Sequence, residues 1–214
     1  MKKVAVILSG CGYMDGSEIR ESVLTLLELD RNNAQTEIFA PNLDQRHVVD
    51  HISGKEVSES RNMLTEAARI ARGEIKSIDK LNPTDFDALI MPGGAGVIKN
   101  LSTISFEGAK GKVASFILPI IESFVTAHKP IGCICIAPAL IAVVLKNRIP
   151  TLTLGNQNDL LEQIGVDSRK CDSDKIIVDE KNLLVSTPAY MNDARLSVIN
   201  EGISQLVKKV LEMA

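Results

Sequence analysis

The chain is poor in aromatic residues and carries no excess of positive charge. It has 214 residues with no Trp, two Tyr and five Phe, and its formal net charge is −3. Proteins that bind nucleic acid use aromatic side chains for base stacking and a basic surface for phosphates. A polybasic patch is likewise what attracts a protein to an anionic membrane. We therefore expect neither a nucleic-acid partner nor a membrane partner.

The chain also lacks an apolar run long enough to cross a bilayer. Its longest apolar-rich stretch, residues 131–145, contains Gly132 and Pro138 and falls short of the length that a spanning helix needs. Its four cysteines do not have the spacing of a disulfide scaffold or of a zinc site. We therefore expect free thiols, no bound metal and a reducing, cytoplasmic environment; the cysteines are at 11, 133, 135 and 171.

The first eleven residues, MKKVAVILSGC, permit two interpretations. The two lysines, the apolar run and Cys11 are typical of a lipoprotein signal, but also of a first buried strand that ends in a glycine turn. A secretory signal needs an apolar core of about 7–15 residues, whereas the uninterrupted run here covers only residues 4–8. The sequence therefore favours the buried strand. The helix that follows has apolar residues at helical spacing, which we expect to face the core: Ile19, Val23, Leu26 and Leu27.

Strand-like and helix-like segments alternate along the whole chain. This alternation predicts an α/β fold with a mostly parallel sheet covered by helices on both sides. We expect strands at 3–9, 36–40, 87–91, 130–134 and 151–154, a hairpin of 176–178 with 183–186, and helices at 17–31, 60–72, 113–128, 138–145 and 194–211. Pro119 should kink or break the third helix. Because no repeat or linker is visible, we predict a single domain over 1–214 with insertions near 42–59 and 97–112.

The stretch PIGCICIAPAL, residues 130–140, predicts a strand, a sharp turn and a helix, with Cys135 at the turn. Small residues two positions before and after Cys135 are typical of a nucleophile elbow. Pro138 suits the first turn of a helix, whose N-terminus would lower the pKa of the Cys135 thiol. The alternative is a buried core thiol. We assign Cys133 to the core, and the pattern alone leaves Cys135 open.

A glycine-rich turn, MPGGAG at 91–96, directly follows a buried strand. Glycines there let backbone N–H groups point into a cavity, so we expect Gly94 and Ile136 to form an oxyanion hole and Gly93 to lie at the pocket. The turn matches neither of the glycine motifs that bind nucleotides. On its own it is also compatible with an ordinary connection between a strand and a helix.

The first strand–helix turn carries a carboxylate, Glu18, for which two roles are open. It can complement the dipole of the helix that Asp15 or Ser17 caps. It can instead meet Cys135 across the sheet. Two negative charges repel, so Glu18 would then be protonated, with its pKa raised by burial, and could exchange a proton with the thiol.

The few remaining candidates are histidines and a tyrosine. All three histidines precede Cys135. We assign His128 to a structural role, whereas His47 and His51 lie in the polar insertion, where they are either solvated or, for His51, placed over the pocket. Tyr190 either lines the pocket or packs at a strand end.

Five segments of the chain together resemble one known family. They occur in the same order and cover nearly the whole chain: LSGCGYMDGSEI, DHISGKEVSESRNMLTEAARIARGEI, LIMPGGAGVIKNLS, CICIAPAL and STPAYM. This set is similar to the bacterial enhancing-lycopene-biosynthesis proteins, the ElbB-type glyoxalases, of the PfpI-type, glutamine-amidotransferase-like superfamily. The resemblance implies a flavodoxin-like three-layer sandwich and a homodimer or larger homo-oligomer. It also implies that Cys135 is the nucleophile and Glu18 its acidic partner.

The sequence departs from the superfamily pattern because no His follows the elbow. Peptide hydrolysis and glutamine amidotransfer then lack their usual acid for the leaving amine. The resemblance implies instead a small aldehyde substrate and no cofactor: a glyoxalase, of the hydro-lyase type, that converts glyoxal to glycolate through a hemithioacetal on Cys135. Two alternatives remain, namely a redox-responsive protein that senses oxidation of Cys135 and a regulatory protein linked to isoprenoid metabolism with little turnover.

Overall fold

A seven-stranded, mostly parallel sheet forms the centre of the molecule in the computed structural model, which describes all 214 residues. Its strand order is β10-β11-β7-β6-β1-β2-β5, and only β10 runs antiparallel to its neighbour. The expected α/β sandwich is therefore confirmed. The strands of this sheet are β1 (Lys3–Ile7), β2 (Gln35–Ala40), β5 (Lys76–Ser77), β6 (Ala88–Met91), β7 (Ile131–Ile134), β10 (Ile177–Asp179) and β11 (Leu184–Thr187).

Four short strands lie outside the main sheet. The first pair forms an antiparallel hairpin within the insertion at 42–59, and the second pair is parallel. The strand expected at 151–154 belongs to the second pair and does not join the main sheet. The four strands are β3 (Val48–Asp50), β4 (Lys55–Val57), β8 (Thr151–Leu152) and β9 (Asp167–Ser168).

Eight α-helices cover the two faces of the main sheet. One face carries α1, α2 and α8, and the other carries α3 to α7. No helix combines the length and apolarity that a membrane span requires. The helices are α1 (Ile19–Arg31), α2 (Met63–Ile70), α3 (Ala95–Lys99), α4 (Ile104–Glu107), α5 (Leu118–Thr126), α6 (Ala137–Leu145), α7 (Asp159–Ile164) and α8 (Leu196–Met213).

Pro119 begins a helix where a kink or break was expected. Helix α5 starts at Leu118, so the proline occupies its first turn. The missing N–H of a proline costs no hydrogen bond at that position, because the first N–H groups of a helix have no intrahelical partner. The helix is therefore shorter than the sequence predicted and continuous.

Helix α1 is rotated relative to our expectation. The apolar stripe of Ile19, Val23 and Leu27 is solvent-exposed, with 45%, 48% and 38% of each residue accessible. Of the four apolar residues, Leu26 alone is partly buried against the core as expected. The inward face is instead largely polar and comprises Glu21, Ser22, Thr25, Glu28 and Leu29. One reason is visible at Glu28, which accepts hydrogen bonds from Arg31 (2.7 Å) and from Ser204 of α8 (2.8 Å). The other reason is Glu21, which reaches the elbow.

The carboxyl ends of the three central strands define the site. Strands β1, β6 and β7 are almost fully buried, and β6 and β7 pair in parallel with Met91 opposite Cys133. The connections after parallel strands meet at one edge of the sheet, which is where such folds bind ligands. The glycine turn after β6 and the cysteine turn after β7 therefore lie side by side.

Candidate active site

Cys135 occupies a strained turn between β7 and α6. Its φ is +61°, a conformation that non-glycine residues rarely adopt and that costs on the order of 1–3 kcal/mol. Its backbone N–H donates to the carbonyl of Thr187 (2.9 Å), which anchors the turn to β11. The residue is 8% exposed, whereas Cys133 is fully buried within β7. This is the geometry of a nucleophile elbow, and Cys133 takes the core position expected for it.

The glycine turn after β6 packs directly against the elbow. A Cβ at Gly93 would overlap the Cβ of Cys135, and Gly94 has a φ of +98°. The turn is also fastened to the first loop of the chain, since Glu18 N–H donates to the Gly93 carbonyl (3.0 Å). The backbone N–H groups of Gly94 and Ile136 lie near the Cys135 thiol and act to lower its pKa. The structure thus brings together the two N–H groups that we expected to form an oxyanion hole.

The carboxyl group that contacts the Cys135 thiol belongs to Glu21, a residue that no sequence pattern singled out. Glu21 is fully buried and lies against Cys135, since a Cβ at Gly93 would meet both Glu21 Oε2 and the Cβ of Cys135. Its Oε2 accepts from the N–H of Gly93 (3.0 Å), and its Oε1 accepts from the N–H of Tyr190 (3.4 Å). Burial, reinforced by the nearby charge of Glu18, raises the pKa of Glu21 to about 8. Glu21 therefore holds a proton at neutral pH.

Glu18 does not make the contact with Cys135 that we expected. It is the N-cap of α1, and its Oε2 accepts from the backbone N–H of Glu21 (2.6 Å). Burial raises the pKa of Glu18, which lines the same cavity as Cys135. Glu21 contacts the thiol instead of Glu18, because the first turn of α1 directs the Glu21 side chain inward. No local pattern distinguishes the two glutamates, since the choice between them depends on the rotation of the helix.

The protonation of Cys135 also differs from our expectation of a lowered pKa. Its pKa lies well above the ordinary value, first because burial disfavours the thiolate and second because Glu21 is adjacent. The N–H groups of Gly94 and Ile136 act in the opposite direction but do not outweigh burial. The prediction of a resting thiolate is therefore wrong. Cys135 and Glu21 form a neutral, proton-sharing pair.

A cavity of about 740 Å³ opens beside this pair. It contains both His51 and Tyr190 in its wall, whereas Gly93 lies behind the wall against Glu21. The Tyr190 hydroxyl accepts from Arg20 Nη1 (3.2 Å), so this side chain faces the cavity and is not merely packed at a strand end. The lining residues are Gly12, Tyr13, Glu18, Ile19, Arg20, His51, Gly94, Ala95, Ile98, Cys135, Ile136, Tyr190 and Met191.

The sheet order and the cysteine elbow belong to an α/β sandwich that solved structures of amidotransferase-like and DJ-1 superfamily proteins share. A solved structure from Ehrlichia chaffeensis, an isoprenoid biosynthesis protein with an amidotransferase-like domain, has a TM-score of 0.94 and 39% identity, covering 100% of this chain and 99% of that one. A DJ-1 superfamily protein from Agrobacterium tumefaciens shares the fold, with a TM-score of 0.56 and 14% identity over 99% of this chain and 89% of that one.

Curated relatives identify the family more narrowly. The human glutamine amidotransferase-like class 1 domain-containing protein 3 is 41% identical over 224 aligned positions, which cover 99% of this chain and 83% of the human protein. The rat ES1 protein homolog is also 41% identical, over 99% of this chain and 84% of the rat protein. No family model matches the chain. The chain belongs to the glutamine amidotransferase-like class 1 domain, or ES1, family.

These relatives contradict the expected cytoplasmic location. The human, rat and zebrafish proteins are all named as mitochondrial. The four cysteines are free in the structure, as the sequence predicted. Free thiols indicate a reducing environment but do not distinguish one reducing compartment from another, and this is why the prediction of a cytoplasmic protein was wrong.

Proposed function

We propose that this protein is a cofactor-independent glyoxalase, of the ElbB type that its motifs resemble, which converts glyoxal to glycolate. The observation that supports the proposal is the arrangement at the elbow. A strained cysteine thiol lies against a protonated carboxyl group and near two backbone N–H groups, at the wall of a cavity. This arrangement suits the addition of a thiol to a carbonyl, because that reaction moves a proton from sulfur to oxygen.

The first step joins the Cys135 sulfur to one aldehyde carbon of glyoxal. The S–H bond breaks and its proton passes to Glu21, while Glu21 gives its own proton to the aldehyde oxygen. The product is a hemithioacetal, and the carboxyl group is protonated again at the end of the step. Because no separated charge is needed, a raised pKa on both groups is compatible with the reaction. The N–H groups of Gly94 and Ile136 stabilise negative charge that develops during the addition.

The second step is an isomerisation on the enzyme. Glu21 takes the hydrogen of the sulfur-bearing carbon as a proton on one oxygen and gives its own proton to the neighbouring carbonyl oxygen; the electron pair left on carbon forms a carbon–carbon double bond, and the product is an enediol. Glu21 then gives a proton to the second carbon and takes the hydroxyl proton of the first, which gives a thioester of Cys135. Water then adds to the thioester, the carbon–sulfur bond breaks, and glycolate and the free thiol result. One aldehyde carbon is oxidised and the other reduced, so no external oxidant is required.

The redox-responsive alternative receives less support from the structure. An oxidation sensor needs an accessible cysteine with a lowered pKa, since the thiolate is the reactive form. Cys135 is almost fully buried, and its pKa is raised. These properties favour a thiol that reacts with a substrate bound beside Glu21 over one that reacts with peroxide in solution.

The decisive experiment measures glycolate formed from glyoxal by the purified protein and by two cysteine variants. We expect turnover by the parent protein, none by Cys135→Ala, and near-parent turnover by the matched control Cys133→Ala, which removes a thiol two residues away in the core. Equal activity in Cys135→Ala and the parent, or no glycolate from a folded parent protein, would reject the proposal.

We also propose that the protein forms homo-oligomers. The exposed stripe of Ile19, Val23 and Leu27 on α1 supports this proposal, because contiguous apolar side chains on a surface are typical of contact regions. Light scattering during size-exclusion chromatography tests it with Val23→Glu, which places a charge in the middle of the stripe. We expect the parent protein to elute as a dimer or larger and the variant as a smaller species; a monomeric parent protein would refute the proposal.

A further inference from the structure

A buried carboxylate with an unused oxygen lies beside His51, a residue of the cavity wall. Asp15, in the first loop, is only 3% exposed. Its Oδ2 accepts from the backbone N–H of Val49 in β3 (2.8 Å), whereas its buried Oδ1 has no hydrogen-bond partner. A buried acceptor without a partner is costly, so it calls for a reason beyond the folding of the loop. The imidazole of His51 lies beside this oxygen.

His51, in the turn between β3 and β4, faces this oxygen. Its Nδ1 is 2.9 Å from the Val49 carbonyl, which can only accept, so Nδ1 carries the hydrogen and Nε2 is the basic nitrogen. Nε2 accepts weakly from the Met14 N–H (3.3 Å) and lies 3.9 Å from Asp15 Oδ1. The N–H of Val49 thus positions Asp15, and its carbonyl positions His51.

The first loop makes room for this approach. A Cβ at Gly12 would lie 2.5 Å from His51 Nε2 and 3.0 Å from Asp15 Oδ1, and the φ of Gly12 is +134°. Only glycine fits there without displacing the imidazole. The ring of Tyr13 packs edge-on against His51, with centroids 5.4 Å apart. The position of His51 is therefore determined by the loop, the hairpin and an aromatic neighbour together.

The proposed glyoxalase reaction requires a second base. In this step Glu21 gives its proton to the departing sulfur, and it does not line the cavity from which water would approach the thioester, so the attacking water needs another acceptor for its proton. A neutral histidine can accept it. His51 and Cys135 line the same cavity, which is large enough to hold water beside a two-carbon acyl group.

We propose that His51 is the general base for hydrolysis of the Cys135 thioester, and that Asp15 is a positioning residue that stabilises the resulting imidazolium. His51 Nε2 takes a proton from water while the oxygen bonds to the acyl carbon; the carbon–sulfur bond then breaks, and the sulfur leaves as a thiol by taking the proton of Glu21. The Asp15 carboxylate, whose Oδ1 lies 3.9 Å from Nε2, stabilises the imidazolium by its opposite charge. The imidazolium and Glu21 afterwards exchange protons with solvent, for which the side chain of His51 is 35% exposed. This assignment rests on the proposed function.

Several charged or titratable groups face this histidine and enter its pH dependence. Asp15 and Tyr13 come from the first loop, and Asp50 comes from the same hairpin. Glu18 and Arg20 lie in the wall of the same cavity. Only Asp15 is buried with an oxygen directed at Nε2, so its charge dominates the interaction with an imidazolium.

The test separates formation of the Cys135 thioester from hydrolysis of that thioester. With His51→Gln we expect kcat for glycolate to fall about 100-fold or more while one equivalent of glyoxal is still consumed. Intact-mass analysis should then show protein carrying one acyl group at Cys135, which hydroxylamine removes as it removes thioesters. The matched control is His47→Gln, which changes a histidine of the same insertion that lies outside the cavity and should keep the kcat of the parent protein.

A second variant, Asp15→Asn, is measured by its pH–rate profile, which would not shift if Asp15 had only a structural role. Asp15→Asn keeps the shape of the side chain but removes the charge, so we expect a smaller loss of kcat and a shift of the acid limb of the pH–rate profile to lower pH, because the imidazolium loses its counter-charge. The assignment is overturned if His51→Gln keeps the parent kcat, if it loses activity without accumulating the thioester, or if the Asp15→Asn profile is unmoved. A parent protein that makes neither glycolate nor an adduct rejects the glyoxalase itself.

Discussion

The two ends of the cavity differ in how their side chains bind protons. The elbow end, made of Cys135, Glu21, Gly93, Gly94 and Ile136, is buried and neutral, and each oxygen of Glu21 accepts a hydrogen bond from a backbone N–H. The hairpin end, made of Gly12, Asp15 and His51, is half-exposed and leaves one buried oxygen without a partner.

The difference shows that the neighbours of a buried carboxyl group, more than its residue type, decide what the group can do. Glu21 is protonated because it is buried without a cation, and it can therefore give a proton to a substrate oxygen. Asp15 is also buried, but it lies beside an imidazole that can become positive. One end thus suits addition of the thiol, and the other suits removal of a proton by a base in contact with solvent.

The largest effect on activity is expected from removal of the thiol at the elbow end. Cys135→Ala should abolish glycolate formation, whereas Cys133→Ala should leave it nearly intact because that thiol lies within β7. The loss of the Cys133 side chain from the core should appear instead as a lower melting temperature. A coupled assay for glycolate and a thermal melt of both variants check this. Comparable activity losses in both variants would contradict the distinction between the two thiols.

The second effect concerns which glutamate carries the proton. Glu21→Gln keeps the size of the side chain and removes the acid, so we expect kcat to fall by about 100-fold or more. Glu18→Gln removes the N-cap carboxylate and its charge near Glu21, and should reduce kcat less. Steady-state kinetics on the two variants decide between them; a larger loss in Glu18→Gln would return the acidic role to that residue.

The third effect is on stability and follows from the raised pKa of Glu21. The folded protein binds this proton more tightly than the unfolded chain, whose value is near 4.5. The stabilisation is therefore present below pH 4.5 and is lost as pH rises to about 8, at about 1.4 kcal/mol per pH unit. Denaturant unfolding between pH 5 and 8 should show a smaller decline in Glu21→Gln than in the parent protein. Parallel declines would mean that Glu21 is ionised in the folded protein.

The smallest effect addresses the hairpin end. Gly12→Ala should push the imidazole of His51 away from Asp15, since the new methyl group would occupy the space of Nε2. We expect a loss of kcat of about tenfold, smaller than for removal of the imidazole, because the hairpin can shift. The addition of Cys135 to glyoxal, measured as adduct formation in a single turnover, should keep its rate. A slowed addition would show that the two ends do not act separately.

The elbow was predictable because its signals are local. An apolar strand, small residues around Cys135 and Pro138 at the helix start lie within eleven residues, and β7 and α6 form where these signals placed them. The glycine turn was predictable for the same reason. The contact of Glu21 was not, because Glu18 and Glu21 lie in the same turn of sequence and differ only in which way α1 faces.

The sequence by itself determined the alternating strands and helices and the sharp turn at Cys135, since these depend on short-range patterns of apolar, small and turn-forming residues. Tertiary structure alone decided that a polar face of α1 would turn inward, that Glu21 would meet the thiol, and that both groups would keep their protons. The physical reason is that a pKa depends on burial and on neighbours, and both are set by packing between elements far apart in the chain.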